Sequence, residues 1–242
     1  MNLSSLIHHE QETDSTNDCL NRLSRTSALP EFHTLWAEYQ TKGKGQIGNT
    51  WESERGKNLT FSFLLYPVSV LASEQFVISE MVSLAIRNTL SAYTGEISIK
   101  WPNDIYWHDR KICGILIENE LRGPYISKCV VGVGLNVNQD VFHSDAPNPV
   151  SLRQIIGRDA DREVILSRIF EEFGKLYAAP QAVHVAYLSA LYRKDGYHSY
   201  RDAQGVFEGR IADVELDGHL MLQPKSGPPR RYAFKEVQFI LD

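Results

Sequence analysis

The sequence predicts an α+β protein: a mixed or antiparallel sheet with packed helices, followed by a small C-terminal antiparallel barrel. Three observations carry this. Strand-like runs between residues 97 and 138 are joined by hairpin turns rather than by helical crossovers. Residues 73–90 and 161–177 carry apolar side chains at the 3.6-residue helical period. Beyond Gly205, short β-like runs alternate with turns, Asp217-Gly218 and a Pro- and Gly-bearing turn at 224–229. The 242 residues, 43% of them hydrophobic, supply one sizeable core with room for a small second unit. The expected division is a larger α+β domain over residues 1–192 and a small β domain over 193–242.

In chain order, Leu6 and Ile7 with His8 and His9 predict a short edge strand. Neighbouring strand residues point to opposite faces, so the two histidines read as surface groups rather than as metal ligands. The cluster Asp14-Ser15-Thr16-Asn17 precedes a helical pattern and marks a helix N-terminus. Residues 34–39 and 58–67 read as strands, the second with imperfect alternation, which suggests burial on both faces. In the helix over 73–90, Ser73 is the expected N-cap and Phe76, Val77, Met81, Leu84 and Leu90 form the inner stripe. Strands follow at 97–101, 105–107, 111–119 and 128–138, with the hairpin turn at 108–110. Gly132 and Gly134 inside the last of these predict close approach of a ligand or another backbone. Residues 141–151 read as a loop. Ile165, Ile169, Phe173 and Leu176 line the helix over 161–177, and 183–192 continue as a second helical piece.

Between the strand at 34–39 and Trp51 lies the most informative stretch. It carries Gly43, Gly45 and Gly48 with Lys42 and Lys44. Closely spaced glycines allow the backbone to approach a ligand and to aim amides at an anion. The spacing fits neither a Walker A loop nor a dinucleotide fingerprint. Taken alone, it also fits a plain surface connection.

Bulk properties exclude several classes. A net charge of -5 gives no broad attraction to nucleic acid or to an anionic membrane. Three cysteines without paired spacing argue against a disulfide framework or a zinc site. The first ten residues show no signal-peptide pattern, and no apolar run is long enough to span a bilayer. A soluble, cytoplasmic protein is expected.

Five stretches stand together: Ser15-Thr16-Asn17, Gln40 with the Gly/Lys loop, Lys100-Trp-Pro-Asn-Asp104, Lys111-Ile-Cys-Gly114, and Gly132-Val-Gly-Leu-Asn136. In this order they resemble the biotin protein ligases, over essentially the whole chain from about Thr13. The resemblance implies a class II synthetase-like catalytic domain and an SH3-like C-terminal barrel. It implies a two-step reaction: biotin and Mg-ATP form biotinyl-5′-adenylate, and the acyl group then passes to a lysine of a biotin carboxyl carrier protein domain. Lys111 is then the catalytic cation. Ser15, Thr16, Asn17, Gln40, Lys44, Gly45, Gln46, Trp51 and Lys111 are the biotin-binding set. Gly43, Lys44, Gln46, Gly48, Asn103, Asp104 and Asn136 are the ATP or adenylate set, with Asp104 as the candidate for Mg2+.

The chain departs from the family loop, Gly-Arg-Gly-Arg-x-Gly-Arg-x-Trp. Lys44, Gln46 and Asn49 stand where that pattern has arginines, and Arg-to-Lys is not neutral at a phosphate site. Some relatives carry an N-terminal DNA-binding domain. No room for one precedes Thr13, so a ligase without a DNA partner is expected. An exposed strand edge allows a homodimer without fixing one. A lipoate or octanoate ligase and a non-catalytic biotin sensor are the rival readings.

Overall fold

The computed structural model describes residues 6–46, 48–144 and 148–240. Ile47 of the Gly/Lys loop, residues 145–147 of the expected 141–151 loop, and residues 1–5 of the expected leaderless start lie outside that range.

A seven-stranded sheet organises the molecule. In chain order its strands are β1 (Ile7–Glu10), β2 (Thr34–Ala37), β3 (Leu59–Leu65), β4 (Ile97–Lys100), β5 (Asp104–Trp107), β6 (Arg110–Arg122) and β7 (Tyr125–Leu135). Their spatial order is β1-β2-β3-β7-β6-β5-β4. The pair β1–β2 is parallel and every other pair is antiparallel, so the sheet is mixed, as expected. The histidines fall on the β1 edge. His9 stacks on Trp36 at 4.5 Å and reaches Glu38 at 2.7 Å, while His8 reaches Glu10 at 2.7 Å.

Strand β3 is buried at every position, and its alternation decides where the functional face lies. Leu59, Phe61, Phe63 and Leu65 point into the main core with Val131, Val133 and Leu135 of β7. That core is completed by three helices: α2 (Phe76–Ser91), α4 (Arg162–Ala178) and α5 (Val183–Ser189). Thr60, Ser62 and Leu64 point to the opposite face. There Leu64 packs with Leu35, Val130 and Leu20 of helix α1 (Thr16–Thr26) in a much smaller cluster. One face is thus a thick apolar layer. The other is apolar only under α1 and polar beside it.

Several sequence expectations are corrected. Ser73 does not cap α2: it sits in a short 3-10 turn, Ala72–Glu74, and Gln75 is the N-cap, because that turn feeds directly into the helix. Val77 is only partly buried, whereas most of α2 is enclosed. A one-turn helix α3 (Leu152–Ile156) follows the 141–151 loop, held by a Ser151/Gln154 capping box and ended by Gly157 at φ 73°. Helix α5 ends at Ser189, three residues early.

The C-terminal unit forms a five-stranded antiparallel sheet in the order β11-β10-β9-β8-β12. These are β8 (His198–Asp202), β9 (Gly205–Val214), β10 (Leu220–Pro224), β11 (Arg230–Tyr232) and β12 (Gln238–Phe239). Strand β8 begins earlier than the expected β pattern, whose first run starts after Gly205. Its inward residue Tyr200, with Ile211, Val214, Leu220 and Leu222, joins the same buried cluster as the main sheet. Trp101 donates from Nε1 to the Gly218 carbonyl at 2.9 Å, so the β4–β5 turn is fastened to the β9–β10 turn.

Candidate functional site

A cavity of about 530 Å³ opens on the polar face of the sheet. Three glycines clear it. Gly132 and Gly134 of β7 and Gly114 of β6 project no side chain, and two side chains of this chain occupy the space. A Cβ on Gly132 would lie 2.1 Å from Asn17 Oδ1. A Cβ on Gly134 would lie 2.3 Å from Trp51 Cε2, and one on Gly114 would lie 2.9 Å from Trp51 Cζ3. The close approach expected at Gly132 and Gly134 is therefore made by Asn17 and Trp51.

One wall is neutral and tightly bonded. Ser15 is the N-cap residue of α1 and makes no side-chain cap bond, so Thr16 and Asn17 belong to the first helical turn. Gln40 Oε1 accepts from Thr16 N at 2.7 Å and from Thr16 Oγ1 at 3.1 Å. That fixes the Gln40 amide and leaves its Nε2 as the donor. Ser62 Oγ stands 2.7 Å from Thr16 Oγ1 and 2.6 Å from Asn17 Oδ1, so its single proton serves one of them at a time. Asn17 Nδ2 donates to Glu118 Oε2 at 2.8 Å and approaches the Leu116 carbonyl at 3.4 Å. Both ends of Asn17 are thus committed to the protein, and Ser62 lies between it and Thr16.

Asp14 braces the same turn. Its carboxylate takes two bonds from Arg22, at 2.8 and 2.9 Å, and one from the Ser15 amide at 2.8 Å. The Arg22 guanidinium holds its carboxyl well below the usual carboxylate range.

The other wall is charged. Lys111 Nζ lies 2.7 Å from Asp104 Oδ2 and 5.9 Å from the centre of the Trp51 ring. The register between β5 and β6 shifts between Ile105 and Tyr106, beside Lys111, and such a bulge re-aims a side chain. Backbone bonds from Lys111 N to Asn148 O at 2.8 Å and from Val150 N to Lys111 O at 3.0 Å fix the strand start. Lys111 is therefore held on a rigid element although its side chain is 30% exposed. Asn136 donates to the Val150 carbonyl at 3.2 Å, while its Oδ1 is buried without a partner among the described residues. Lys100 does not line the cavity. It is partly buried, bonds Tyr106 Oη at 3.1 Å, and that desolvation lowers its pKa.

The Gly/Lys loop forms the lid. Trp51 N donates to Gly43 O at 2.9 Å and Gly45 N to Asn49 O at 3.0 Å, so the segment is a miniature hairpin, with Gly48 at φ 86° near its tip. Lys44 Nζ pairs with Asp18 at 2.6 Å. Gln46 Nε2 donates to Asn103 Oδ1 at 2.9 Å.

A sequence model of the biotin/lipoate A/B protein ligase family matches residues 10–136, which hold both walls and the lid. The chain belongs to the biotin/lipoate A/B protein ligase family. Among its relatives, the biotin--[acetyl-CoA-carboxylase] ligase of Paracoccus denitrificans is 30% identical, over 89% of this chain and 93% of that protein. The bifunctional ligase/repressor BirA of Bacillus subtilis is 26% identical, over 94% of this chain and 72% of its own length. The solved biotin protein ligase of Aquifex aeolicus, in complex with biotin and ATP, superposes with a TM-score of 0.76 at 26% identity, over 97% of this chain and 99% of that chain.

Within this family frame, the cavity gathers every residue of the two expected binding sets except Gly43 and Asn103. Gly43 packs behind the loop, where a Cβ would lie 2.4 Å from the Trp51 carbonyl. Asn103 is buried at 6% exposure with both amide ends engaged, which does not suit an expected phosphate or magnesium contact. Asp104 is the one carboxylate among the residues lining the cavity, and it faces Lys111. Sequence reasoning missed Tyr106, Asn148 and Phe234 as lining residues. Phe234 comes from the C-terminal unit and is 46% exposed. An aromatic followed by Lys235 in a short turn carries no motif that would have singled it out.

Proposed function

We propose that the chain is a biotin protein ligase. It joins biotin to ATP as biotinyl-5′-adenylate and then passes the biotinyl group to a lysine of a biotin carboxyl carrier domain. The observation that carries this reading is Lys111, fixed at the start of β6 and facing the same cavity as the neutral Ser15–Thr16–Gln40 wall.

The two walls suit the two ends of biotin. A ureido ring is uncharged and offers one carbonyl and two N–H groups. The donor left on Gln40 and the hydroxyls of Ser15 and Thr16 match that pattern. The acid end must meet the α-phosphorus of ATP, so two anions converge. A lysine there offsets their repulsion and stabilises charge on the acyl oxygen as it builds. In the first step the biotin carboxylate oxygen bonds to phosphorus and pyrophosphate leaves. In the second the acceptor amine bonds to the acyl carbon, AMP leaves, and the amine loses a proton. Trp51, seated on Gly114 and Gly134, shields the mixed anhydride from water.

The buried, unpartnered Oδ1 of Asn136 is an acceptor. It complements the amino group of adenine and not a phosphate, which offers acceptors only. ATP enters this reading as Mg-ATP. A single cavity carboxylate, already paired with Lys111, supports an ion held chiefly by the phosphates. The net charge of -5 supports a role without DNA. The outer edge of β1, unpaired among the described residues, supports pairing of two subunits. No helix among the described residues is long and apolar enough to cross a membrane, and this with three free cysteines supports a cytoplasmic setting. The division at residue 193 into a catalytic and a small β unit belongs to the same reading.

The test is acylation of a purified biotin carboxyl carrier domain, followed by mass spectrometry with biotin, lipoate or octanoate as the acid. A mass gain of one biotinyl group, dependent on ATP, is expected. Gain with lipoate or octanoate alone would place the chain among the lipoate-type ligases.

A further inference from the structure

Asp104 and Lys111, the charged pair of the cavity, stand on two different strands, so the space between them depends on the turn that leads into β5. Residues 101–103 form that turn, between the paired ends Lys100 of β4 and Asp104 of β5. Two distant elements grip it. On one side Trp101 Nε1 donates to the Gly218 carbonyl at 2.9 Å. On the other, Tyr187 Oη donates to the Pro102 carbonyl at 2.7 Å.

The second grip is the more deeply set. Tyr187 is fully buried, and its ring meets Phe76 of α2 edge-on at 5.5 Å. Burial pushes the Tyr187 pKa well above its ordinary value, so the hydroxyl keeps its proton and remains a donor. Helix α5, which carries it, is itself fixed. His184 Nδ1, one turn earlier, lies 2.7 Å from the buried Glu80 carboxylate of α2. Beyond the helix, Ile99 N donates to Ala190 O at 2.9 Å and Tyr192 N to Ile99 O at 2.8 Å, so the chain leaving α5 runs along β4. Neither His184 nor Tyr187 lines the cavity.

We propose that Tyr187 is a positioning residue for adenylate formation: its hydroxyl sets the place of the 101–103 turn, and through that turn the approach of Asp104 to Lys111. The inference rests on the ligase reading for the reaction it names. Without the hydroxyl, the Pro102 carbonyl loses its donor on a side closed by a fully buried ring. An acceptor left unpaired in such a place is costly, so the turn shifts to recover a partner. Asp104 follows directly on the turn, and a shift there changes its 2.7 Å contact with Lys111. The ammonium then leaves the place from which it meets the converging anions, and a misplacement of about 1 Å can cost 10²-fold in rate. The neutral wall does not share this dependence. Ser15 and Thr16 lie at the start of α1 and Gln40 follows β2, and the bonds of Thr16 run to Gln40 and Ser62.

The experiment is biotin-dependent pyrophosphate exchange by the full chain, at saturating Mg-ATP with biotin varied. Tyr187→Phe is compared with wild type; it removes one oxygen and keeps the ring seated on Phe76. kcat should fall about tenfold. KM for biotin should stay within about twofold, the pattern of a group that acts on the reacting end alone. Tyr200→Phe is the control. That hydroxyl is equally buried and has no partner among the described residues, so both constants should match wild type. Trp101→Phe releases the other grip on the same turn and should show the same split, so it carries the test where Tyr187→Phe does not fold.

A kcat within about twofold of wild type in Tyr187→Phe, or in Trp101→Phe if only that variant folds, would overturn the proposal. So would a rise in KM as large as the fall in kcat, which is the mark of general loosening, or an equal loss in Tyr200→Phe. With exchange present in wild type, any of these results leaves the ligase reading standing. No exchange in wild type removes that reading and this inference with it.

Discussion

Gly132→Ala is the sharpest probe of how the neutral wall is built. A methyl there would lie 2.1 Å from Asn17 Oδ1 and 2.9 Å from its Cγ, so the amide must leave. Asn17 is 3% exposed and borders the cavity, so the space open to it is the space the ligand needs. Its departure breaks the 2.8 Å bond to the Glu118 carboxylate and the 2.6 Å contact with Ser62. A hydrogen bond to a charged group is worth about 1.5–3 kcal/mol and a neutral one about 1 kcal/mol, so the folded state should lose roughly 2.5–4 kcal/mol. Thr16 and Gln40 lose their brace as well, and biotin affinity should fall by roughly tenfold or more, at about 1.4 kcal/mol per factor of ten. Urea unfolding reads the first number and isothermal titration calorimetry the second. Gly95→Ala is the control, since a Cβ there meets nothing within 4 Å. Asn17→Ala supplies the matched background: with the amide gone, adding Gly132→Ala should cost little more. Stability within about 0.5 kcal/mol of wild type, together with unchanged biotin binding, would refute the reasoning.

Lys111→Ala should lower adenylate formation by about 10²–10³-fold, as for removal of one group aimed at developing charge. Its half-exposed position should leave urea stability nearly unchanged. Gly134→Ala should drive Trp51 off the sheet, because the new methyl would lie 2.3 Å from its ring; faster cleavage within residues 43–51 in limited proteolysis is the readout. Asp14→Asn tests the brace under α1. The Asp14 pKa is lowered on folding, so its contribution is fully present above the unfolded value near 3.8 and is lost as pH falls through the folded value. The stability gap between wild type and Asp14→Asn should therefore be constant from about pH 8 to pH 5 and shrink only in stronger acid; being part-exposed, it should stay within about 1 kcal/mol.

Much of the fold was legible because period and punctuation agree. Residues 58–67 and 128–138 combine β-rich composition with clear ends, and the imperfect alternation of the first signalled the burial of β3 on both faces. The site was legible where chemistry forces unusual residues into a strand or a turn, as at Gly132, Gly134 and Lys111. Other features were hidden for physical reasons. Strand β8 reads His-Ser-Tyr-Arg-Asp, and only Tyr200 is enclosed, so no apolar pattern announces it. The α2 start was missed because a 3-10 turn absorbed the capping serine. The burial of Asn103 was hidden because an amide in a motif looks equally like a ligand contact and an internally bonded side chain; its bonds to Gln46 and Ser79 are tertiary and no local pattern encodes them. Phe234 reaches the cavity from 123 residues after Lys111, through tertiary packing that no local pattern encodes.

The most direct test is isotope exchange between pyrophosphate and ATP with the full chain. Exchange should appear only when biotin and magnesium are both present, and should be nearly abolished in Lys111→Ala while biotin still binds. Biotin binding with no exchange in wild type, or exchange that survives loss of the Lys111 ammonium, would contradict the assignment of this cavity to adenylate formation.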